Sequence, residues 1–317
     1  MLSPAAHRQP ASPPLAAIIG PTAAGKTDLS LALAQRLPVE ILVADSRQVY
    51  RGMDVGTAKP DRAVRAAVPH HLLDLVDPDT PFSLADWLQR ARRLVPQIWS
   101  RGRLPLVVGG TGLYVSALVD GYRLGAQPPS PDLRRELAAE AEQVGLAPLA
   151  ARLTELDPAT AARTDLRNPR RVLRALEVAI LAGGAAGEPA AEPWPGRLAL
   201  IGIERPRPVL DARIERRAAA MFAGDLLDEA ARLRAAGYGP DLPPLTGHGY
   251  GEAYRVLAEE WSVEQAVAQT VRRTRQYARR QLTWFRRDRR VVWLPAGEGS
   301  STDLADQATD LVRRLTA

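Results

Sequence analysis

Gly20, Pro21, Thr22, Ala23, Ala24, Gly25, Lys26 and Thr27 read G-x-x-x-x-G-K-[ST] without a mismatch. Glycines at these two places let the backbone fold back, so that successive N–H groups aim at phosphate oxygens. Lys26 adds a full positive charge, and the helix that begins there adds a partial one. Thr27 offers a hydroxyl to Mg²⁺. The eight residues are therefore a candidate site for a diphosphate or triphosphate, with Lys26 and Thr27 as its catalytic members. The competing reading is a glycine-rich turn with no ligand. Asp45, directly after the apolar run 39–44, is the second chemical candidate. A carboxylate at the C-terminal end of a parallel strand lies in the crevice where open α/β sheets bind ligands. Position alone leaves it three roles: metal ligand, general base, or cap of the next turn. Thr111 closes Gly109-Gly110-Thr111 after the run 104–108, so it belongs to the same crevice or caps the helix that follows.

What is missing matters too. An ATPase needs an acid at the end of a core strand to help hold Mg²⁺, yet the run 104–108 ends in glycine, and only 39–44 ends in an acid. No Asn-Lys-x-Asp base-reading motif occurs. The phosphate site need not serve a nucleotide.

The elements that must position these residues alternate. Residues 15–20 form an apolar run, 28–37 a helical pattern, 39–44 a second strand, and 46–68 a long polar loop broken by Gly52, Gly56 and Pro60. A third strand is expected at 72–76. Ser83 and Asp86 form a capping box for a helix to about Ser100, bent at Pro96. Strand 104–108 follows. This alternation implies an α/β fold: a P-loop NTPase-like parallel sheet with helices on both faces. From 131 to about 181 the pattern is helix after helix, a helical insertion domain spanning 131–195 whose end, 183–195, reads as a flexible linker or hairpin. The core, 15–130 and 196–317, resumes with a strand at 197–203, helices over 208–287, a short strand at 291–294 and a helix from about Asp303. Residues 1–14, rich in Pro and Ala, read as a disordered tail without a secretory signal.

The chain has 317 residues, a net charge of +6 and no Cys, which removes disulfides and thiolate metal sites. Its four His include an adjacent pair, His70 and His71, a spacing that argues against zinc. No apolar run is long enough for a membrane helix, so a soluble, cytoplasmic protein is expected. Nearly all the positive charge is arginine, part of which reflects base composition. The stretch 272–290, RRTRQYARRQLTWFRRDRR, is interrupted by Asp288 alone and points to a phosphate-bearing polymer.

GPTAAGKT, DSRQVYRGMDVGTAKP (45–60), PHHLLD (69–74), VVGGTGLYVSAL (107–118), RNPRRVLRALEV (167–178) and RQLTWFRR (280–287) together resemble the bacterial tRNA dimethylallyltransferases, in the same order over most of residues 17–294. The sixteen-residue block from Asp45 is far more specific than the P-loop. The resemblance implies transfer of a dimethylallyl group from dimethylallyl diphosphate to N6 of the adenosine 3′ to the anticodon. It implies Mg²⁺ as cofactor and a P-loop that holds a prenyl diphosphate. It places Asp45 as the general base and brings Asp45, Ser46, Arg47, Gln48 and Thr111 to the reacting adenosine and its neighbours. It makes the helical insertion a clasp for the tRNA anticodon stem-loop, with Arg134, Arg170, Arg171 and Arg174 as contacts.

On a helix Arg170 and Arg174 share a face, with Arg171 adjoining; a solvated, salt-bridged surface is the plain alternative. Near the C-terminus Arg280, Gln281, Arg286 and Arg287 are assigned to RNA, whereas Leu282 and Phe285 fit the core. Arg213 and Arg217, also i, i+4, reach a pyrophosphate or pair with Asp211 and Glu215. One departure stands out: in Thr246-Gly-His-Gly-Tyr-Gly-Glu252 the family's basic neighbour is replaced by Gly251. Competing functions are a small-molecule kinase, an RNA-binding protein with a vestigial P-loop, and a prenyltransferase on free adenine nucleotides. No heptad demands a partner, so a monomer is expected.

Overall fold

The computed structural model describes residues 12–122, 130–185, 191–297 and 301–316. Most of the expected N-terminal tail, residues 1–11, lies outside them, as does the middle of the expected linker, 186–190. The chain divides into two compact units, Gly121–Glu192 and the remainder. The helical unit thus begins ten residues before the expected boundary.

In the larger unit, β1 (Leu15–Ile19), α1 (Lys26–Ala34), β2 (Val39–Ala44), α2 (Arg62–Ala67), β3 (His70–His71), α3 (Leu84–Ser100), β4 (Leu104–Gly109) and α4 (Gly112–Val119) come first. The smaller unit holds α5 (Pro131–Val144), α6 (Leu146–Leu156), α7 (Pro158–Arg163) and α8 (Pro169–Leu181). The chain then returns with β5 (Leu198–Glu204), α9 (Arg207–Ala223), α10 (Leu226–Ala235), α11 (Tyr250–Leu257), α12 (Val263–Phe285), β6 (Val291–Pro295) and α13 (Ser301–Thr316).

The strands form one parallel sheet in the order β3-β2-β4-β1-β5-β6. Every residue of β1, β2 and β4 is buried, as expected for strands covered on both faces. Ile18, Ile41, Val43, Leu106 and Val108 pack with Leu29 and Leu33 of α1 and with Leu304 and Val312 of α13. Each such side chain contributes about 1.5–3 kcal/mol on burial. On the opposite face Trp87 of α3 stacks on Tyr114 of α4 at 4.8 Å and donates its indole N–H to Val43 O. Ser83 and Asp86 form the expected capping box, and α3 continues through Pro96.

Three readings change. The third strand is His70–His71, paired with Ile41 and Leu42, and not residues 72–76. Leu72 and Asp74 take positive φ (68° and 51°), which turns the chain out of the sheet. Val76 bridges back to Tyr50, and the N–H groups of Asp74 and Leu75 donate to Gln48 O and Val49 O. Lys59, its side chain fully buried, ties this loop by donating to Asp54, Asp74 and Tyr50 O. Second, Asp45 does not follow the sole strand with an acidic end, because β5 finishes at Glu204. Third, the C-terminal end of the expected linker is pinned: Trp194 donates its indole N–H to Pro13 O and its backbone N–H to Val119 O.

The smaller unit closes on its own core, with Leu137, Leu149, Leu153, Val172 and Leu176 at its centre. Among these lies Glu177, fully buried, which accepts from Ser130 N–H, Arg134 Nε and Arg174 Nη1 at 2.8, 2.8 and 2.6 Å. Burial works to raise its pKa, but the two arginines and the N–H outweigh it and hold the carboxyl below the usual range. Arg134 and Arg174 are therefore partners of a buried carboxylate, as the salt-bridged alternative had it, while their side chains stay partly exposed. Removing Glu177's partners would strand a buried charge. Arg170 and Arg171 remain exposed, with no partner among the described residues.

Candidate active site

Strands β2, β4 and β1, buried at every residue, lie side by side in the middle of the parallel sheet, and each ends in a loop that carries chemistry. After β1 the chain turns through Gly20 (φ 143°) and Ala23 (φ 62°) to Gly25 (φ 97°), which stands at the N-cap of α1. Ala23 is a non-glycine residue in the left-handed region, a conformation that costs about 1–2 kcal/mol and that its neighbours hold in place. Arg213 Nε donates to Ala23 O at 2.8 Å, and Arg205 Nε donates to Ala24 O at 2.6 Å.

The loop opens on a cavity of about 480 Å³. Thr22, Lys26, Thr27, Asp45, Gln48, Arg213, Arg216 and Arg217 make its polar side, and Ile41, Val43, Val108, Ala58 and Pro60 an apolar side. Lys26 Nζ donates to Gly20 O and Pro21 O. Burial pulls its pKa down to about 8, Asp45 works to raise it, and Arg217 adds to the depression. Arg217 is partly buried; desolvation lowers its pKa against the attraction of Asp45, and its guanidinium donates to Thr22 Oγ1 at 3.1 Å. Neither Arg213 nor Arg217 pairs with Asp211 or Glu215, because Arg275 takes both of those carboxylates. Arg213 pairs instead with Asp28 at 3.6 Å. Arg217 forms no ion pair among the described residues, so a partly buried cation lines the cavity without an anion.

In the same cavity lining, Asp45 Oδ1 accepts the backbone N–H of Arg47 at 2.8 Å, so it also caps its own turn. Thr111 occupies the N-cap position of α4 but makes no side-chain cap; its hydroxyl accepts Ser46 N–H at 3.0 Å instead. Tyr277 of α12 lies near the same Thr111 side chain; burial and the nearby Asp45 push its pKa up to about 12. Gln48 Nε2 donates to Thr57 O at 3.0 Å, and Arg47 reaches Pro243 O.

Gln281 sits elsewhere than expected. It is 5% exposed, accepts Thr22 N–H at 2.8 Å and donates to Gly110 O at 2.8 Å. This side chain faces the interior and is no surface contact for RNA. The remaining residues of that cationic run divide. Arg280 lies 5.8 Å over the Tyr277 ring, Arg286 pairs with Glu204, and exposed Arg287 has no partner among the described residues. At the departure in the 246–252 loop, Arg273 of α12 donates to Glu252 and to Thr246 O, and its guanidinium lies 3.7 Å from where a Gly251 Cβ would stand. Sequence reasoning overlooked Arg205, Arg216 and Tyr277. Tyr277 lies one turn before Gln281, and two neutral residues at i, i+4 inside a cationic stretch were the available signal.

Mg²⁺ fits the donor set. Thr27 and Asp45 line one cavity, and the described residues hold no cluster of three or more His, Asp or Glu side chains. Mg²⁺ is commonly held by one or two protein oxygens, substrate phosphates and water, which is what this wall offers. No helix among the described residues is long and apolar enough to cross a membrane.

The IPP transferase family model matches residues 48–288, and the isopentenyl transferase model matches residues 13–67. The chain is 48% identical to the tRNA dimethylallyltransferase of Roseiflexus sp. (strain RS-1), over 95% of this chain and 98% of that one. It is 45% identical to the tRNA dimethylallyltransferase of Moorella thermoacetica, over 95% of each. Among solved structures, the full-length tRNA isopentenylpyrophosphate transferase of Bacillus halodurans superposes with a TM-score of 0.71 at 40% identity, covering 95% of each chain.

Proposed function

Because this chain belongs to the tRNA dimethylallyltransferase family and is an enzyme of the prenyltransferase type, we propose that it transfers dimethylallyl from dimethylallyl diphosphate to N6 of the adenosine 3′ to the anticodon. One observation carries the reading: Lys26 and Arg217, partly buried and in no ion pair among the described residues, line the same cavity as Asp45. The cations suit an anionic leaving group, and the carboxylate suits a proton acceptor.

The diphosphate lies against Lys26, Arg213, Arg217 and the N–H groups at the start of α1. Its five-carbon tail lies along Ile41, Val43 and Val108. Adenine N6 is a weak nucleophile, since its lone pair is delocalised into the ring. It attacks C1 of the allyl group as the C1–O bond breaks, and pyrophosphate leaves with the electron pair. The N6 proton passes to Asp45, held in aim by its bond to Arg47 N–H. Fixed cations placed where leaving-group charge develops lower the barrier without reorganising. Mg²⁺, which Thr27 would help to hold, would add further charge neutralisation. Flipping a loop nucleotide into the cavity costs only a few kcal/mol. Arg280 and Arg287 on one unit, and Arg170 and Arg171 on the other, supply exposed charge for the anticodon stem-loop.

The test is transfer of label from radiolabelled dimethylallyl diphosphate, with Mg²⁺, into an anticodon stem-loop carrying that adenosine, beside the same RNA with guanosine there. Label in the adenosine RNA alone is expected. Transfer of a γ-phosphate from ATP to a small acceptor, with no label in RNA, would replace this reading by a kinase.

A further inference from the structure

The helix α12 turns a basic face outward, but its inner face is threaded through the site. Tyr277 lies near Thr111, Gln281 bonds both Thr22 N–H and Gly110 O, and Trp284 donates to Ser116 Oγ at 3.2 Å. Gln281 is the one of these that touches two catalytic loops at once. Thr22 belongs to the phosphate loop after β1. Gly110 belongs to the loop after β4, whose next residue, Thr111, holds Ser46 N–H beside Asp45. The joint is tight: a Cβ on Gly110 would come within 2.2 Å of Gln281 Nε2, so glycine there serves this close approach. It also needs an acceptor and a donor at the tip of one unbranched side chain, which an amide of this length provides.

We propose that Gln281 is a positioning residue that fixes the spacing between the phosphate loop and the loop beside Asp45. It acts through Thr22 and Gly110 and touches no substrate. The inference rests on the prenyl-transfer reading above. In-line displacement requires N6, C1 and the departing oxygen to be collinear, and the two loops hold the two ends of that line. A misplacement of about 1 Å can cost about 10²-fold in rate.

Gln281→Met keeps the volume and removes both hydrogen bonds. Gln281→Glu keeps the shape, and its carboxyl can donate to Gly110 O only when protonated. Steady-state transfer and titration of the stem-loop are measured for both, beside the unmodified protein. For the Met variant we expect kcat about 10- to 100-fold lower, with RNA affinity within about twofold of the parent on the expectation that a buried amide makes no RNA contact. The Glu variant is expected to run closest to the parent at low pH and to fall behind as pH rises. Weaker RNA binding with kcat intact would make Gln281 an RNA contact and overturn the proposal, as would two variants with parental kcat at every pH. If Gln281→Met does not fold, checked by thermal melting, the pH course of the Glu variant decides. Failure of the unmodified protein to transfer label would instead sink the underlying reading.

Discussion

The Glu229 carboxylate and the Tyr250 hydroxyl meet at 2.5 Å in the protein interior, behind the loop that carries Thr57 and Ala58 into the cavity. Glu229, 2% exposed, also accepts the backbone N–H groups of Asp54, Val55 and Gly56 at 2.9 to 3.2 Å. Gly56 has no Cβ because one would lie 2.5 Å from the Tyr250 ring. The loop is thus shaped by a carboxylate on α10, and Gln48 is aimed in turn by Thr57 O.

Cutting these bonds should separate two sizes of effect. Glu229→Ala strips three partly buried N–H groups of their acceptor and should destabilise the fold by about 3 kcal/mol, whereas Tyr250→Phe leaves them satisfied and should cost about 1 kcal/mol. Urea unfolding measures both. Where the Ala variant still folds, KM for dimethylallyl diphosphate should rise as Thr57 and Ala58 loosen.

Asp45→Asn should lower kcat for transfer by about 10²- to 10⁴-fold with little change in stem-loop affinity. The amide still accepts Arg47 N–H, so the turn survives while the proton acceptor is lost. Single-turnover transfer, with RNA binding measured separately, checks it. Parental kcat in Asp45→Asn would remove the general base from the proposal.

Lys26 makes two pH effects of opposite sign. Its folded pKa, drawn down to about 8 by burial, lies below the ordinary lysine value of 10.5. Between those values the unfolded chain binds more protons, so stability of the ligand-free protein should rise as pH climbs from about 8 to about 10.5. Diphosphate binding needs the protonated amine, so KM for dimethylallyl diphosphate should climb above pH 8, by up to about tenfold per unit. Melting and kinetic series on the parent and on Lys26→Met test both slopes, and both should flatten in the variant.

Arg280→Ala and Arg287→Ala should weaken stem-loop binding without altering kcat at saturating RNA. Each lost phosphate contact should reduce the slope of log affinity against log salt by about 0.7 to 0.9. Arg134→Ala and Arg174→Ala should act differently, lowering stability of the helical unit because each leaves Glu177 short of a partner.

The local signals were legible without coordinates. The phosphate loop, Asp45 at the end of its strand, the capping box at Ser83 and the parallel α/β alternation all depend on residues within a few positions of one another, where period and spacing carry the physics. What tertiary structure decided is of another kind. Gln281 and Thr22 are 259 residues apart, and Glu229 lies 175 from Asp54. Which face of α12 turns inward, and whether Arg217 finds a carboxylate or a cavity, follows from how distant elements pack, and no local pattern encodes it. The third strand moved for the same reason: residues 72–76 have the composition of a strand, but Lys59 and Arg65 hold Asp74 in a turn that composition cannot reveal.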